Sequence, residues 1–394
     1  MKNKNFLFDL IASQPIEGHE FHGGGKYAKK LFFALAEHIN QDNNNWKIYA
    51  IYDSSLILDN QIRSVIEKNN IQLLDICGYS LDEIVTNHSI CRLYTPLPFN
   101  LNRHNFFSLL SLKKCEIYCT IHGLRTLEIK TPMEASSYIT SIIGKLKFFT
   151  KKIFESNLIK RDFARYGKLI DQTNVMTVSN HTKYSIMTFF PNSIENKIRV
   201  FYSPDVTEFG EHSNELEDSI GESYFLLTNG NRWLKNNLRC IKALDQLFSE
   251  HPEINKKVVI TGVANPDFYL NKIKNKNHFI FYKYVSDTLL TKLYQNAYAL
   301  IYMSLNEGFG YPPLEAMKWG TPVLTSPFTS IPEVCSDCVL YSDPYSIPEI
   351  KNRILQLMNY DFYCDLTVKS TQRYNFIKAK QEDDLILSVQ HLLA

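Results

Sequence analysis

The sequence has no uninterrupted run of 18 apolar residues, so it predicts no transmembrane helix. Its amino terminus begins with charged and polar residues, and Asp9 interrupts the short apolar run that follows, which does not predict a signal peptide. An excess of one charge is also lacking, because 43 basic and 41 acidic residues leave a formal net charge of +2. We therefore expect no nucleic acid partner. With 44% hydrophobic and 21% charged residues, the composition predicts a soluble globular protein, and without a signal peptide we expect it in the cytoplasm.

The eight cysteines are scattered, and without an export signal they are expected to remain reduced. The spacing of Cys335 and Cys338 is half of a zinc-site pattern, but no second pair lies at a suitable distance. No convincing Asp-x-Asp motif is present that could hold a metal against a diphosphate. We therefore expect neither a metal site nor a cofactor.

Apolar runs alternate with helical patterns along all 394 residues, which is enough chain for two domains. This alternation is typical of βαβ units, and it predicts an α/β fold with two Rossmann-like domains and a ligand cleft at the carboxyl ends of the strands. Predicted strands lie at 6–12, 46–52, 90–94, 116–122, 174–179, 224–228, 257–261, 278–282, 299–303, 322–325 and 338–341. We place the domains at 1–203 and 204–375, followed by a carboxyl-terminal helix at 376–394.

The most informative segment, 304–317, carries two carboxylates, Glu307 and Glu315, eight residues apart. A predicted strand precedes it, a helix follows it, and Gly308 and Gly310 lie between the two acids. Glycine lets backbone N–H groups approach a ligand, and a helix amino terminus favours phosphate. In this interpretation Glu315, in the first helical turn, holds a ribose and Glu307 faces a sugar. The alternative is a strand-to-helix turn whose glutamate only complements the helix dipole.

This segment, EGFGYPPLEAM, together with Gly320-Thr-Pro-Val and Ser330-Ile-Pro-Glu-Val334, resembles the signature of retaining glycosyltransferases of family 4. The resemblance implies the GT-B fold, with two Rossmann-like domains facing across a cleft and a final helix that crosses back to the amino-terminal domain. It implies metal-independent transfer of a hexosyl unit with retention, in which Glu307 positions the sugar. A covalent nucleophile is the alternative role for this residue. Further donor-binding residues that it implies are Gly308, Phe309, Gly310, Tyr311 and Leu314.

Two cations, Arg232 and Lys235, follow the predicted strand 224–228 and open a helix. Both side chains could reach a diphosphate, arginine as a fork and lysine as a point charge. The alternative is a pair of solvated cations, although the positive end of a helix dipole is an unfavourable place for them. The resemblance implies that they neutralise the leaving nucleotide.

Three glycines at 23–25 lie between a predicted strand and a helix, a pattern that suits a phosphate or sugar loop. The resemblance implies that a glycine pair, which we assign to Gly24 and Gly25, faces the donor diphosphate. His22 and Lys26 flank the loop and are candidates for acceptor contact.

His122 ends the predicted strand 116–122, where a lone histidine is most often structural. The family often has a histidine followed by an aspartate here, with the imidazole near the transferred sugar. Gly123 replaces that aspartate in this chain. The resemblance also places Tyr284 and Val285 in a loop that packs against the nucleotide base, and Ser179 at a structural position.

Lysine and arginine alternate with apolar residues over 145–168, which predicts an amphipathic, cationic helix. It could be a core helix with a solvated basic face, or it could touch anionic lipid headgroups or a lipid-pyrophosphate acceptor. The second interpretation would place the amino-terminal domain on the inner face of the cell membrane.

The function that these residues favour is transfer of a hexosyl unit from a nucleotide sugar to a saccharide or a lipid-linked saccharide, in bacterial surface polysaccharide synthesis. Two alternatives stay open: another enzyme of the same architecture, such as an epimerase or a phosphorylase, and a non-catalytic nucleotide-sugar-binding subunit.

Overall fold

The computed structural model describes residues 4–14, 23–41, 45–139, 141–206 and 223–394. The chain divides into two compact units. The first unit comprises Met1–Leu124, Arg161–Val206 and Lys378–Ala394, and the second comprises Arg125–Lys160 and Thr207–Ile377. Residues 125–160 thus pack with the second unit, whereas the sequence prediction assigns them to the amino-terminal domain.

Among the described residues of the first unit, seven parallel strands form one sheet in the order β3-β2-β1-β4-β5-β6-β7. These strands are β1 Lys4–Asp9, β2 Trp46–Tyr52, β3 Gln72–Asp75, β4 Arg92–Thr95, β5 Glu116–Ile121, β6 Asn174–Thr177 and β7 Ile198–Val200. In the register, Phe6 of β1 lies opposite Ile48 on one side and Arg92 on the other. The ring of Phe8 packs between Phe32 and Tyr94, with centroid distances of 5.1 and 5.3 Å.

Helices connect the parallel strands, as parallel pairing requires. They are α1 Gly23–Gln41, α2 Asn60–Lys68, α3 Leu81–Asn87, α4 Phe106–Leu112, α5 Arg125–Glu128, α6 Ile142–Ile153, α7 Glu155–Gln172 and α8 Asn180–Phe189. Polar side chains begin several of them: Asp59 caps α2, and Ser80 forms a capping box with Glu83 on α3. Ser179 caps α8 by accepting a hydrogen bond from the N–H of Thr182, which confirms its structural role.

In the described part of the second unit, six parallel strands lie in the order β10-β9-β8-β11-β12-β13. Their bounds are β8 Tyr224–Leu227, β9 Lys257–Thr261, β10 Phe279–Tyr282, β11 Ala299–Tyr302, β12 Val323–Thr325 and β13 Leu340–Tyr341. The helices are α9 Asn237–Glu250, α10 Asp267–Leu270, α11 Asp287–Asn296, α12 Tyr311–Lys318, α13 Ile331–Cys335, α14 Ile347–Leu357 and α15 Tyr360–Leu393. The strand order reverses direction at β8, and ligands of open α/β sheets bind beyond the carboxyl ends of strands at such a point.

The last helix, α15, begins at Tyr360, earlier than the predicted closing helix, and contributes to both units. Its amino-terminal part lies in the second unit, where the guanidinium of Arg373 donates to the carbonyls of Glu333 and Val334. Its carboxyl-terminal part lies in the first unit, where the indole of Trp46 donates to the carbonyl of Leu393 at 3.1 Å. None of the helices in the described ranges is long and apolar enough to span a bilayer.

Two local predictions are wrong. The glycines at 23–25 are not a loop, because they form the first turn of α1. The predicted helix 145–168 is two helices, since α6 ends before Phe154 and α7 begins after it. His22, a candidate for acceptor contact, lies outside the described residues.

Candidate active site

The segment after β11 folds into a strand, a loop and a helix, as the sequence predicts. All four residues of β11 are buried, and the chain then turns through Gly310, whose φ of +113° favours glycine. A Cβ at this position would lie 3.1 Å from the side chain of Ile331, so the space is also tight. Pro312 and Pro313 occupy the first turn of α12, where a missing N–H costs no helical hydrogen bond. The loop is therefore held in one conformation that presents Glu307.

A single carboxylate oxygen of Glu307, Oε1, accepts hydrogen bonds from three side chains. The donors are the ammonium group of Lys235, the hydroxyl of Tyr302 at 2.6 Å and the hydroxyl of Ser304. Lys235 also donates to the hydroxyl oxygen of Tyr302. The backbone N–H of Glu307 donates to Thr329 Oγ1 at 2.9 Å. Side chain and backbone are thus both fixed, and the carboxylate has a defined orientation.

The charges of this cluster are set by burial and by the ion pair. Burial by itself would raise the pKa of Glu307, but the charge and hydrogen bonds of Lys235, Ser304 and Tyr302 outweigh it and hold the pKa below its ordinary value. Burial lowers the pKa of Lys235, and the attraction of Glu307 opposes this effect. Burial and the Glu307 charge raise the pKa of Tyr302 well above its ordinary value, so its hydroxyl stays protonated and donates.

Lys235 reaches Glu307 from the loop that follows β8. It ends the 3-10 helix Trp233–Lys235, and Asn236 then adopts a left-handed conformation with φ of +57° before α9 begins. The side-chain amide of Asn236 donates to the carbonyl of Pro344 at 2.6 Å, which ties this turn to the rest of the unit. The N–H of Lys235 donates to the carbonyl of exposed Arg232 at 2.9 Å, and the charge of Arg232 adds to burial in lowering the pKa of Lys235. The structure therefore brings Arg232, Lys235 and Glu307 together.

Sequence reasoning missed a third cation, Arg125, whose charge also acts on Lys235. It lies on α5, and Glu128 of the same helix accepts a hydrogen bond from the amide of Asn306 at 2.6 Å. The contact between Glu128 and Asn306 joins residues that are 178 positions apart, so no local sequence motif indicates that α5 lies near Glu307. Sequence reasoning also missed Tyr302 and Ser304 as partners of Glu307. Tyr302 ends β11 and Ser304 follows two residues later, so only their closeness to Glu307 in the sequence points to this contact.

Glu315 is the fifth residue of α12, so it lies beyond the first helical turn, and the prediction on this point is wrong. A charge there has little effect on the helix dipole, which acts mainly on the first turn. The carboxylate instead accepts a hydrogen bond from the buried hydroxyl of Tyr294 on α11. Burial first, and then Glu315, raises the pKa of Tyr294 well above its ordinary value. Glu315 is thus held by a specific partner.

The other predicted donor-binding residues lie in the same unit. Phe309 and Leu314 are buried, whereas Tyr311 and Gly308 are partly exposed. The rings of Phe309 and Tyr311 pack edge to face at 5.4 Å. Exposed Tyr284 and partly buried Val285 follow β10. Arg232 and Lys235 follow β8, and Glu307 follows β11. The segments after β8, β10 and β11 therefore all leave the parallel sheet at its carboxyl edge.

The remaining predicted residues lie in the first unit. Gly24 and Gly25 belong to α1, and His122 follows β5. The Nε2 atom of His122 lies 3.1 Å from the carbonyl of Pro96, and since a carbonyl only accepts, Nε2 carries the proton. The imidazole packs edge to face on Tyr27 at 4.8 Å. The orientation and the tautomer of His122 are thus both fixed.

Tyr27 is itself held in a buried polar cluster that sequence reasoning missed. Its hydroxyl lies 3.2 Å from Thr120 Oγ1 and 3.3 Å from the hydroxyl of Tyr94. Asp9, at the carboxyl end of β1, is also buried, and burial raises its pKa to about 7 despite hydrogen bonds from Thr95 and the N–H of Ile11. These groups lie along the carboxyl edge of the first sheet.

Comparison with known proteins agrees with this architecture. Residues 215–382 match the family model described as glycosyl transferases group 1. The O-antigen chain mannosyltransferase RfbU of Salmonella typhimurium is 30% identical over 200 residues, which cover 50% of this chain and 52% of that protein. The O-antigen chain mannosyltransferase B of Escherichia coli is 43% identical over 83 residues, covering 21% of this chain and 22% of that protein. This chain therefore spans about half, or less, of the length of these curated relatives.

Among solved structures, the sucrose-phosphate synthase of Thermosynechococcus elongatus superposes with a TM-score of 0.68 and 13% identity, covering 99% of this chain and 98% of that one. An identity this low shows the fold alone. The predicted α/β class and the GT-B fold are confirmed.

Proposed function

We propose that this chain, whose residues 215–382 match the model of the group 1 glycosyl transferases, transfers a hexosyl unit from a nucleotide-diphosphate sugar to an acceptor hydroxyl with retention and without a metal. The observation that carries the proposal is the buried pair of Lys235 and Glu307, beside the charge of Arg232. A cation next to a fixed carboxylate, at the carboxyl edge of a Rossmann-like sheet, suits a diphosphate joined to a sugar.

In the proposed mechanism, Lys235 and Arg232 stabilise the negative charge that develops on the departing diphosphate. Two cations can neutralise this charge without a metal ion, and they support the metal-independent part of the proposal. Glu307, held by Tyr302 and Ser304, orients the hydroxyl groups of the sugar, and Glu315 binds the ribose. The acceptor attacks from the face that the diphosphate leaves, and the leaving phosphate takes the acceptor proton.

The names of two relatives give the first donor to test. RfbU and mannosyltransferase B both act on O-antigen chains as mannosyltransferases. We therefore infer a mannosyl donor and a place in surface polysaccharide synthesis, with a saccharide or a lipid-linked saccharide as acceptor.

A screen of nucleotide sugars tests the enzyme proposal against the non-catalytic alternative. The protein is incubated with mannosyl, glucosyl and galactosyl nucleotides, and release of the nucleoside diphosphate is measured with and without added acceptor. We expect slow donor hydrolysis without acceptor for one nucleotide sugar, and its loss in Glu307→Gln. Nucleotide binding without any turnover, in the wild type and with every acceptor tried, would favour a binding subunit.

We propose, second, that α6 rests on an anionic membrane surface. Apolar side chains repeat along one side of the helix at Ile142, Leu146, Phe149 and Ile153, and all four are exposed, Ile142 to 85% and Ile153 to 77%. Lys147 and Lys151 fall on the opposite side of the helix and Lys145 at the edge of the apolar side, an arrangement typical of helices that lie in a membrane interface. The helix belongs to the second unit, so the surface differs from the amino-terminal domain that the sequence suggested.

Sedimentation with phosphatidylglycerol vesicles at low salt tests this second proposal. We expect the wild type to pellet with these vesicles, and Ile142→Asp with Ile153→Asp to remain in the supernatant. Neutral phosphatidylcholine vesicles are the control. A wild type that stays in the supernatant with anionic vesicles would refute membrane contact through α6.

A further inference from the structure

A cavity of about 360 Å³ lies within the second unit, and its lining includes none of the residues that we assign to donor contact. One wall comes from the chain between α5 and α6, including Lys130, Ala135 and Tyr138, and the other comes from Trp233 and α9. The volume is within the range of small-molecule sites in proteins.

The lining of this cavity combines an apolar interior with positive charge. Ala135, Leu238, Leu305 and the aromatic rings of Trp233 and Tyr345 supply the apolar surface. Three cations, Lys130, Arg239 and Lys242, also line it, against one acid, Glu134. A ligand that matches this lining has an apolar body and a negative charge.

Arg239 is held in place for such a ligand. Its Nη1 atom donates to Asn236 Oδ1 at 2.7 Å, and its guanidinium lies 5.1 Å from the ring centroid of Tyr345. A guanidinium with a fixed orientation loses little conformational entropy when it binds a phosphate or a carboxylate. Lys242, on the same helix, adds a second charge.

Two residues of the cavity wall belong to the loops that carry Lys235 and Glu307. Trp233 lies two residues before Lys235, and Leu305 lies two residues before Glu307. The two segments are joined, because the N–H of Leu305 donates to the carbonyl of Leu234 at 2.8 Å. A ligand in the cavity would therefore touch the loops that carry Lys235 and Glu307.

We propose that this cavity binds an anionic amphiphile, a lipid-type chain that carries a phosphate group. Its chain lies among Ala135, Leu238 and Trp233, and its phosphate pairs with Arg239 and Lys242. The nearby α6, which begins at Ile142, exposes apolar side chains of its own, so this part of the unit has two features suited to lipid. Binding at this site is independent of donor chemistry, and it stands or falls separately from the proposed transfer reaction.

Trp233 provides an intrinsic probe, because it lines the cavity and its fluorescence responds to an apolar ligand. Decyl phosphate is titrated below its micelle concentration, with decyl glucoside as the neutral amphiphile and inorganic phosphate as the anion without a chain. We expect saturable binding of decyl phosphate and much weaker binding of the other two. Trp233→Phe should abolish the signal, which assigns it to this residue.

Two variants remove the two halves of the site. Arg239→Gln with Lys242→Gln should weaken the binding of decyl phosphate by about tenfold or more, because hydrogen bonds to charged groups contribute that much to affinity. Ala135→Phe should fill the cavity and weaken the binding of the chain. Lys274→Gln, an exposed lysine of the same unit that does not line the cavity, is the matched control and should bind as the wild type does.

Several results would overturn the proposal. Equal binding of inorganic phosphate would show a simple anion site, and equal binding of decyl glucoside would show that charge plays no part. Binding to phosphatidylglycerol vesicles without binding of monomeric decyl phosphate would assign the lipid contact to the surface of α6. Nucleotide-induced thermal stabilisation, measured in the same variants, reports the donor site separately, so that failure of one proposal does not obscure the other.

Discussion

Replacing Lys235 by methionine tests the buried ion pair directly. The side chain of Lys235 is 5% exposed and that of Glu307 is 14% exposed, so the variant leaves a carboxylate in a buried site with only two hydroxyl donors. Removing one partner of a buried pair costs about 3–5 kcal/mol in the free energy of unfolding. A loss of 1 kcal/mol lowers Tm by roughly 2–4 °C in a unit of 150–250 residues. The expected fall in Tm is therefore about 6 °C or more.

The pKa of Glu307 predicts how this loss depends on pH. In the wild type, Lys235 holds the pKa below its ordinary value of 4.5. The ionised carboxylate therefore adds stability above that value, and this stability is lost as pH falls through the lower pKa of the folded protein. Without Lys235, burial dominates and raises the pKa above its ordinary value. The variant should then be least stable near neutral pH and recover part of the deficit as pH falls through the raised pKa.

Thermal unfolding at pH 7 and pH 5 measures both effects, and Lys351→Met is the matched control. Lys351 pairs with Glu250 at 2.7 Å, but Glu250 is 52% exposed, so the control should lose about 1 kcal/mol or less. Combining Lys235→Met with Glu307→Gln should restore most of the stability but no activity, because no buried charge remains. If Lys235→Met unfolds like Lys351→Met at both pH values, the inferred ion pair is wrong.

Three further predictions address the proposed reaction. Glu315→Ala should raise the KM for the nucleotide sugar more than it lowers kcat, and an unchanged KM would contradict the ribose role. Activity should persist in EDTA, and a loss of activity in EDTA that added Mg²⁺ or Mn²⁺ restores would refute a metal-free reaction. Tyr302→Phe removes one donor to Glu307 and should raise its pKa, moving the acid limb of the kcat/KM profile to higher pH. In that last experiment the exposed Tyr360→Phe should leave the limb in place, and an unmoved limb in Tyr302→Phe would count against the contact.

The strands of the second unit and the loop that carries Glu307 could be predicted from sequence because their signals are local. The strand 257–261 coincides with β9, and the strand before Glu307 is confirmed as β11. A buried strand, a glycine that needs a positive φ and a proline pair at a helix start all leave marks within a few residues of one another. The position of Glu315 within α12 was misjudged because helix boundaries are set by the loop that precedes them.

The features that the sequence did not predict depend on contacts between distant residues or on tertiary packing. The assignment of 125–160 to the second unit rests on pairs such as Asn306 with Glu128, which no periodicity reveals. Three consecutive glycines have poor helix propensity, yet they begin α1, since tertiary packing overrides propensity. The amphipathic pattern runs through Phe154 without interruption, so it cannot show where α6 ends and α7 begins.

The hydrogen bonds that Glu307 accepts from Tyr302 and Ser304 explain how Lys235 could bind both this carboxylate and a donor diphosphate. If a donor diphosphate drew Lys235 away, Glu307 would lose an ion pair in a buried site, at a cost comparable to that of the methionine variant. Tyr302 and Ser304 reduce that cost, because both hydroxyls can keep donating to the same oxygen, and the raised pKa of Tyr302 keeps its proton in place. A double variant, Tyr302→Phe with Ser304→Ala, should therefore weaken donor binding more than it lowers the stability of the empty protein. Calorimetric titration of the nucleotide and thermal unfolding of the same sample measure the two effects, and a larger loss in stability than in affinity would mean that the hydroxyls serve only the ion pair.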